Sequence, residues 1–191
     1  MHKNIAVLAG DGIGPEIITE AIKVLQAVAK KYHHSFTYEH ALMGAVAIDE
    51  TGNPLPDKTL EICKSSDAIL FGAIGDPKYD NDPNAKVRPE QGLLALRKAF
   101  NLFCNVRPVT IYDSLIDSSP LKRNRIEGVD LVIYRELTGG IYFGEKKEMN
   151  DKGVASDLCT YSKEEILRVA HLAFKAAGKR KNKLTLVDKA T

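Results

Sequence analysis

The sequence is poor in several things that would settle its class at once. Its three cysteines, Cys63, Cys104 and Cys159, form no C-x-x-C pair, and an odd number builds no disulfide framework. A reducing compartment is the simple reading. No apolar run approaches the roughly 18 residues of a membrane helix. The N-terminal run is broken by Gly10-Asp11, too early for a secretory signal. Charge of one sign is not in excess, with a formal net charge of +2 at 27% charged residues. There is no basic stripe interleaved with aromatics, which argues against nucleic acid. The Lys179–Lys183 run (KRKNK) reads as a solvated helix end. Also missing are a P-loop, H-E-x-x-H, G-x-S-x-G, any acidic cluster with ligand spacing, and any internal repeat. His2, His33, His34, His40 and His171 are scattered and read as surface histidines.

What is there is a globular composition, 44% hydrophobic over 191 residues, enough to bury a core in one domain or two small ones. Strands are expected at Asn4–Ala9, Phe36–His40, Ala68–Ala73, Phe103–Arg107, Asp130–Tyr134 and Leu184–Val187. Pro15 suits the first turn of a helix. Ile17, Ile18, Ala21, Val24, Leu25 and Val28 continue that helix on one face to about Tyr32. Further helices are expected at Leu60–Ser65 and Glu90–Phe100. Another starts at Ser162, where Ser162 and Glu165 form a capping box, and stops at Gly178. Residues 75–89 form a long loop of the kind that is functional or disordered. Gly139-Gly140 is a turn, after which Ile141–Gly144 reads as a strand opening a hairpin or arm. Alternating strands and helices give an α/β class with a mostly parallel sheet. The last expected strand carries a charged pair, Asp188-Lys189, at the edge where open α/β sheets bind ligands.

The stretch LAGDGIGPE, residues 8–16, imitates a dinucleotide fingerprint. Gly10 and Gly12 fit, but Pro15 holds the sixth position, where Gly or Ala is needed, and Glu39 comes late for the ribose-binding acid. Two readings stay open: a tight strand-to-helix turn, or a glycine-rich turn that meets a ligand in another geometry. Arg97, Arg107 and Arg135 would together suit a dicarboxylate, because a guanidinium fork matches a carboxylate with two parallel hydrogen bonds. Taken singly, each reads as a surface ion pair. Tyr142 and Lys189 are candidate proton carriers; the plainer alternatives are a strand aromatic and a solvated lysine.

LAGDGIGPE, GDPKYD, RPEQGLLALRK, NVRP, RELTGGIYFGE and VDKA occur in this order along essentially the whole chain. With them the sequence resembles the isocitrate/isopropylmalate family of β-decarboxylating dehydrogenases. The resemblance implies an α/β, isopropylmalate-dehydrogenase-like fold that is not a Rossmann fold, with a mixed sheet and helices on both faces. Residues 1–100 would be the front of a first, cofactor-side domain. Residues 101–191 would be the front of a second, substrate and dimer domain with an arm near 139–161. The implied activity is oxidation of the 3-isopropylmalate hydroxyl by NAD, then decarboxylation, with Mg²⁺ or Mn²⁺, in leucine biosynthesis. Arg97, Arg107 and Arg135 match the arginines that hold the substrate carboxylates. Leu93 and Leu94 match the apolar pair around the isopropyl group. Tyr142 matches the tyrosine that protonates the enolate, and Lys189 the lysine that helps deprotonate the hydroxyl. Ile13, Ala73, Ile74, Gly75 and Glu90 match positions on the nicotinamide side.

The resemblance departs at Thr191, where the family carries an asparagine near the cofactor. Family members continue beyond residue 191, and the metal-binding aspartates and adenosine pocket are expected there, with no metal site in this chain. Residues 1–191 alone are therefore expected to be inactive. A cytoplasmic homodimer with a small dicarboxylate substrate is implied, without nucleic acid or membrane. Sister activities on isocitrate, homoisocitrate or tartrate are the enzymatic rivals. A non-catalytic split half that binds a complementary chain is the rival of another class.

Overall fold

A computed structural model describes residues 1–82 and 85–187. The chain divides into two compact units, Met1–Ala99 and Phe100–Thr191.

In the first unit, β1 (His2–Gly10) leads into α1 (Gly14–Tyr32), β2 (Ser35–His40), α2 (Ala45–Thr51), α3 (Asp57–Ser65) and β3 (Ala68–Ala73). The short α4 (Pro77–Asp80) and then α5 (Pro89–Ala99) follow. The three strands form one parallel sheet in the order β2-β1-β3. Side chains alternate along β1. Ile5 and Val7 therefore pack with Ile18, Ile22 and Leu25 of α1. Ala6 and Leu8, both fully buried, face the other way, and α3 also packs against β1. Both faces are covered, which is why β1 and β3 read as unbroken apolar runs.

In the second unit, β4 (Cys104–Thr110) pairs antiparallel with β5 (Asp130–Glu136). A 3-10 turn at Asp113–Ser118 and the short α6 (Arg123–Ile126) connect them. A second 3-10 turn, Gly140–Tyr142, precedes the two-residue ladder of β6 (Lys146–Lys147) and β7 (Ser156–Asp157). The long α7 (Lys163–Gly178) then lies against β5.

The capping box is present: Ser162 N–H donates to Glu165 Oε2 at 2.6 Å, and Glu165 N–H donates to Ser162 Oγ at 3.2 Å. The α/β class holds: among the described residues the first unit carries a parallel sheet and the second unit two antiparallel ladders. Two expectations are corrected. Ile141–Gly144 is not a strand, because Gly140 turns the backbone at φ 78° and starts a 3-10 turn. Leu184–Val187 is not a strand either; it pairs with no neighbour among the described residues, and Leu186 and Val187 are almost fully exposed. The KRKNK run is partly tied down, since Arg180 donates to Asp130 Oδ1 at 2.5 Å at the start of β5.

Candidate functional site

Ile13, the Ala73-Ile74-Gly75 turn and Glu90 lie where β1 and β3 end; Leu93, Leu94 and Arg97 follow Glu90 on α5. Gly10 has φ 73°, and a methyl group on it would collide with the Ala73 carbonyl oxygen. The glycine therefore lets the turn after β1 press against the end of β3. Asp11 N–H donates to that same Ala73 carbonyl at 2.7 Å.

The Asp11 side chain is buried and closes the edge. Its carboxylate accepts from Ala45 N–H at 2.8 Å, Val46 N–H at 3.0 Å and Gly75 N–H at 3.0 Å. The first two are orphan donors at the start of α2, whose own cap residue, Gly44, offers no side chain. One carboxylate thus joins the end of β1, the start of α2 and the Ala73-Ile74-Gly75 turn. Ile13, half exposed, stands at the cap of α1.

Glu90 lies against the same turn, for a methyl group on Gly75 would sit 3.3 Å from Glu90 Oε1. On α5, Glu90, Leu93, Leu94 and Arg97 follow the i, i+3, i+4, i+7 spacing of one helical face. Pro89, Gly92 and Leu96 form the buried face. Leu93, Leu94 and Arg97 are half-buried and Glu90 is exposed.

The described part of the 75–89 loop is tied at several points. Asp76 accepts from Lys78 N–H at 2.9 Å. Lys78 Nζ donates to Asp49 at 2.5 Å, Tyr79 Oη donates to Asp49 at 2.8 Å, and Arg88 donates to the Tyr79 carbonyl at 2.7 Å. The bonds from Lys78 and Tyr79 hold the Asp49 carboxyl below its ordinary range.

In the second unit the β4–β5 register decides the arrangement. Arg107 lies opposite Ile133, and Arg135 opposite Asn105. Residues 133 and 135 share a face, so both arginines project from the same side as diagonal neighbours, about 7 Å apart. Both are exposed, and so are Leu131 and Ile133 beside them. Neither guanidinium forms an ion pair or hydrogen bond among the described residues, so the surface ion-pair reading fails for these two.

Glu136 points to the opposite face, toward α7. Its carboxylate accepts from Thr138 N–H at 2.9 Å, Gly139 N–H at 2.7 Å, Thr138 Oγ1 at 3.0 Å and Arg168 at 2.7 Å. Burial alone would raise the Glu136 pKa, but Arg168, Gly139 and Thr138 together outweigh it and hold it below the ordinary value. Tyr142, more than half exposed, sits on the 3-10 turn just beyond. A cavity of about 260 Å³ borders that turn, between Gly139, Gly140, Phe143 and Tyr161. None of the candidate residues lines it. Lys189 and Thr191 lie outside the described residues.

Two residues that the sequence reading passed over organise these edges. Asp11 stood in plain view between two glycines at a strand end, yet its partners lie 34 and 64 residues away. Glu136 stood inside RELTGG with Thr138 as its local signal, but nothing near it points to Arg168.

The edge around Gly75 fits the nicotinamide end of NAD: bare glycine backbone, an exposed isoleucine for a flat ring, and the Glu90 carboxylate beside a cationic one. The described residues do not fit a divalent metal. No group of three or more His, Cys, Asp or Glu side chains among them is placed to hold one.

A family profile described as isocitrate/isopropylmalate dehydrogenase matches residues 4–191. The 3-isopropylmalate dehydrogenase of Bacteroides fragilis is 54% identical over 190 residues, covering 100% of this chain and 53% of the relative. That of Bacillus subtilis is 52% identical over 194 residues, again covering 100% and 53%. The chain thus spans about half the length of the curated relatives it matches. Among solved structures, isocitrate dehydrogenase from Methylococcus capsulatus superposes with a TM-score of 0.74 at 27% identity, over 94% of this chain and 48% of that one. A β-decarboxylating dehydrogenase from Thermococcus kodakarensis gives a TM-score of 0.64 at 32% identity, over 95% and 47%.

Proposed function

The chain belongs to the isocitrate/isopropylmalate dehydrogenase family, and from that premise we propose that it serves the NAD-dependent oxidative decarboxylation of 3-isopropylmalate to 4-methyl-2-oxopentanoate in leucine biosynthesis. One observation carries the reading furthest: two arginines without carboxylate partners among the described residues stand side by side on one exposed sheet face. A doubly charged acid is the ligand that such a pair recognises. Each fork grips a carboxylate with two parallel bonds and so orients the bond that must break. Arg97 is proposed for the same substrate, and Leu93 and Leu94 for its isopropyl group. Such a pocket discriminates by only ~1–3 kcal/mol per methylene.

NAD, when bound, accepts the hydride from the substrate carbinol. Ile13, Ala73, Ile74, Gly75 and Glu90 are proposed to face its nicotinamide end, with Asp11 setting the turn they share. Tyr142 is proposed to donate a proton to the carbon that carbon dioxide leaves, and Lys189 to take the proton of the hydroxyl. Mg²⁺ or Mn²⁺ is proposed with the family; no step is derived through it, because the described residues do not hold it.

A homodimer in the cytoplasm is proposed as well. Ile166 and Phe174 on α7 and Met149 in the arm are apolar and exposed, as a partner surface requires. Among the described residues no helix is long and apolar enough to cross a membrane. The test is steady-state kinetics on the full chain as its own gene encodes it, with NAD and Mn²⁺. The highest kcat/KM is expected for 3-isopropylmalate. A higher value for isocitrate, homoisocitrate or tartrate overturns the substrate, and no turnover of any of them overturns the reading.

A further inference from the structure

We propose that Glu136 is a positioning residue for the proton donor: its carboxylate, locked by Arg168, fixes the turn that leads from the end of β5, just after Arg135, to Tyr142. The inference rests on the proposed roles of those two residues and deepens them.

β5 ends at Glu136. The chain then passes through Leu137-Thr138-Gly139-Gly140, a stretch with two glycines, before it reaches Tyr142. Left to itself such a stretch would sample many conformations. Here four successive amides are held. Leu137 N–H donates to the Phe103 carbonyl at 2.9 Å. Thr138 and Gly139 N–H donate to the Glu136 carboxylate at 2.9 and 2.7 Å. Gly140 N–H donates to the Thr160 carbonyl at 2.9 Å. The two middle holds depend on one side chain. With the Thr138 hydroxyl and Arg168 added, four donors meet a group with about four lone-pair sites. The carboxylate is saturated and cannot swing away.

Arg168 is itself anchored. It donates to Asn101 Oδ1 at 3.1 Å and to the Thr138 hydroxyl, and its guanidinium lies 4.9 Å from the centre of the Phe103 ring. The clamp therefore runs from α7 to the chain before β4, and the 3-10 turn with Tyr142 hangs from it.

Arg135 is placed differently. It sits inside the β4–β5 ladder, which holds it whatever becomes of Glu136. That difference supplies the test. In E136Q the amide offers one oxygen, and its NH₂ donors face N–H donors. The turn loosens while the strand stays. Displacement of a reacting group by about 1 Å costs on the order of 100-fold in rate.

The experiment measures wild type, E136Q, R168K and Y142F in the full chain as its own gene encodes it, with 3-isopropylmalate, NAD and Mn²⁺; circular dichroism checks each fold. For E136Q, kcat is expected to fall at least about tenfold while KM for the acid moves less than about threefold, the pattern of an interaction lost only in the transition state. Lysine at 168 keeps one bond and loses the fork, so R168K should fall between wild type and E136Q. Equal loss in kcat and KM, or an E136Q enzyme as fast as wild type while Y142F is slow, overturns the inference and leaves the proposed function standing. A wild-type chain that turns over none of the sister acids overturns the function, and this inference with it.

Discussion

Each unit has a carboxylate just at or past the end of a strand, and each gathers backbone amides, but the two are built differently. Asp11 accepts three backbone N–H groups and, among the described residues, has no cation as a hydrogen-bond partner. Two of its donors open a helix, so part of its countercharge is the helix dipole. Glu136 accepts two backbone N–H groups, a hydroxyl and a guanidinium. In the first unit one carboxylate makes the side-chain hydrogen bonds that tie three segments together. In the second the work is divided between a carboxylate and an arginine that is held from two further sides. The first design should fail all at once when its one residue goes. The second should weaken by degrees.

The largest effect is therefore expected from Asp11→Ala. It strands three donors, one fully buried at Ala45 and two half-buried at Val46 and Gly75, and a stranded buried donor costs ~1–3 kcal/mol before water moves in. A loss of about 3 kcal/mol is expected. Amide hydrogen exchange checks it residue by residue: Ala45, Val46 and Gly75 should lose protection together, while Thr138 and Gly139 keep theirs. Arg168→Ala should cost less, about 2 kcal/mol, because Glu136 keeps its amide and hydroxyl donors. Exchange should quicken at Thr138 and Gly139 and leave Ala45 unchanged. If both substitutions cost the same, the contrast between the two designs is wrong.

The same contrast explains what could be read from the sequence. β1, β3 and α1 were legible because their signals are local: an apolar run, a proline in the first turn, a periodic face. The capping box at Ser162 was legible for the same reason. α2 was not, because the acceptor of its first amides is Asp11, 34 residues upstream. IYFG looked like a strand because apolar and aromatic residues favour one. Only the positive φ of Gly140, over the Tyr161 ring, reveals the turn. For the candidate site, residue types and order pointed to the arginines and the tyrosine. That Arg107 and Arg135 share a face follows from a strand register, which the sequence does not encode locally. The Glu136–Arg168 pair spans 32 residues and left no trace in either segment.

A third prediction concerns pH. The Glu136 pKa lies below its ordinary value in the folded chain. A depressed carboxylate adds stability that is complete above its unfolded pKa, about 4.3, and is lost as pH falls through the folded value. E136Q removes that contribution. Its exchange protection at Thr138 and Gly139 should be lower than wild type at pH 7. As pH falls below the unfolded value toward the lower folded one, the two should approach each other. A gap that widens toward acid would mean that the carboxylate is not the group that holds the turn.

The smallest effect is expected at Asp49, which makes the sharpest control. Its bonds to Lys78 and Tyr79 look as good on distance as those of Asp11. Asp49 and Lys78, however, are both half exposed to water. Solvent screens such a pair, and water replaces whatever bond is lost. Asp49→Asn still lets Tyr79 donate to the amide oxygen, so one of the two bonds that Lys78 and Tyr79 give to residue 49 remains. The melting temperature should stay within experimental error of wild type, and exchange at Gly75 should be unchanged, because Gly75 answers to Asp11. The loop's salt response should change instead. Raising the ionic strength from 0.01 to 1 M shrinks the Debye length from about 30 to 3 Å. Exchange at Lys78 and Tyr79 should quicken with salt in wild type and be nearly flat in D49N. A large stability loss in D49N would show that exposure does not separate these carboxylates, and that a long-range tie matters in the first unit wherever it lies.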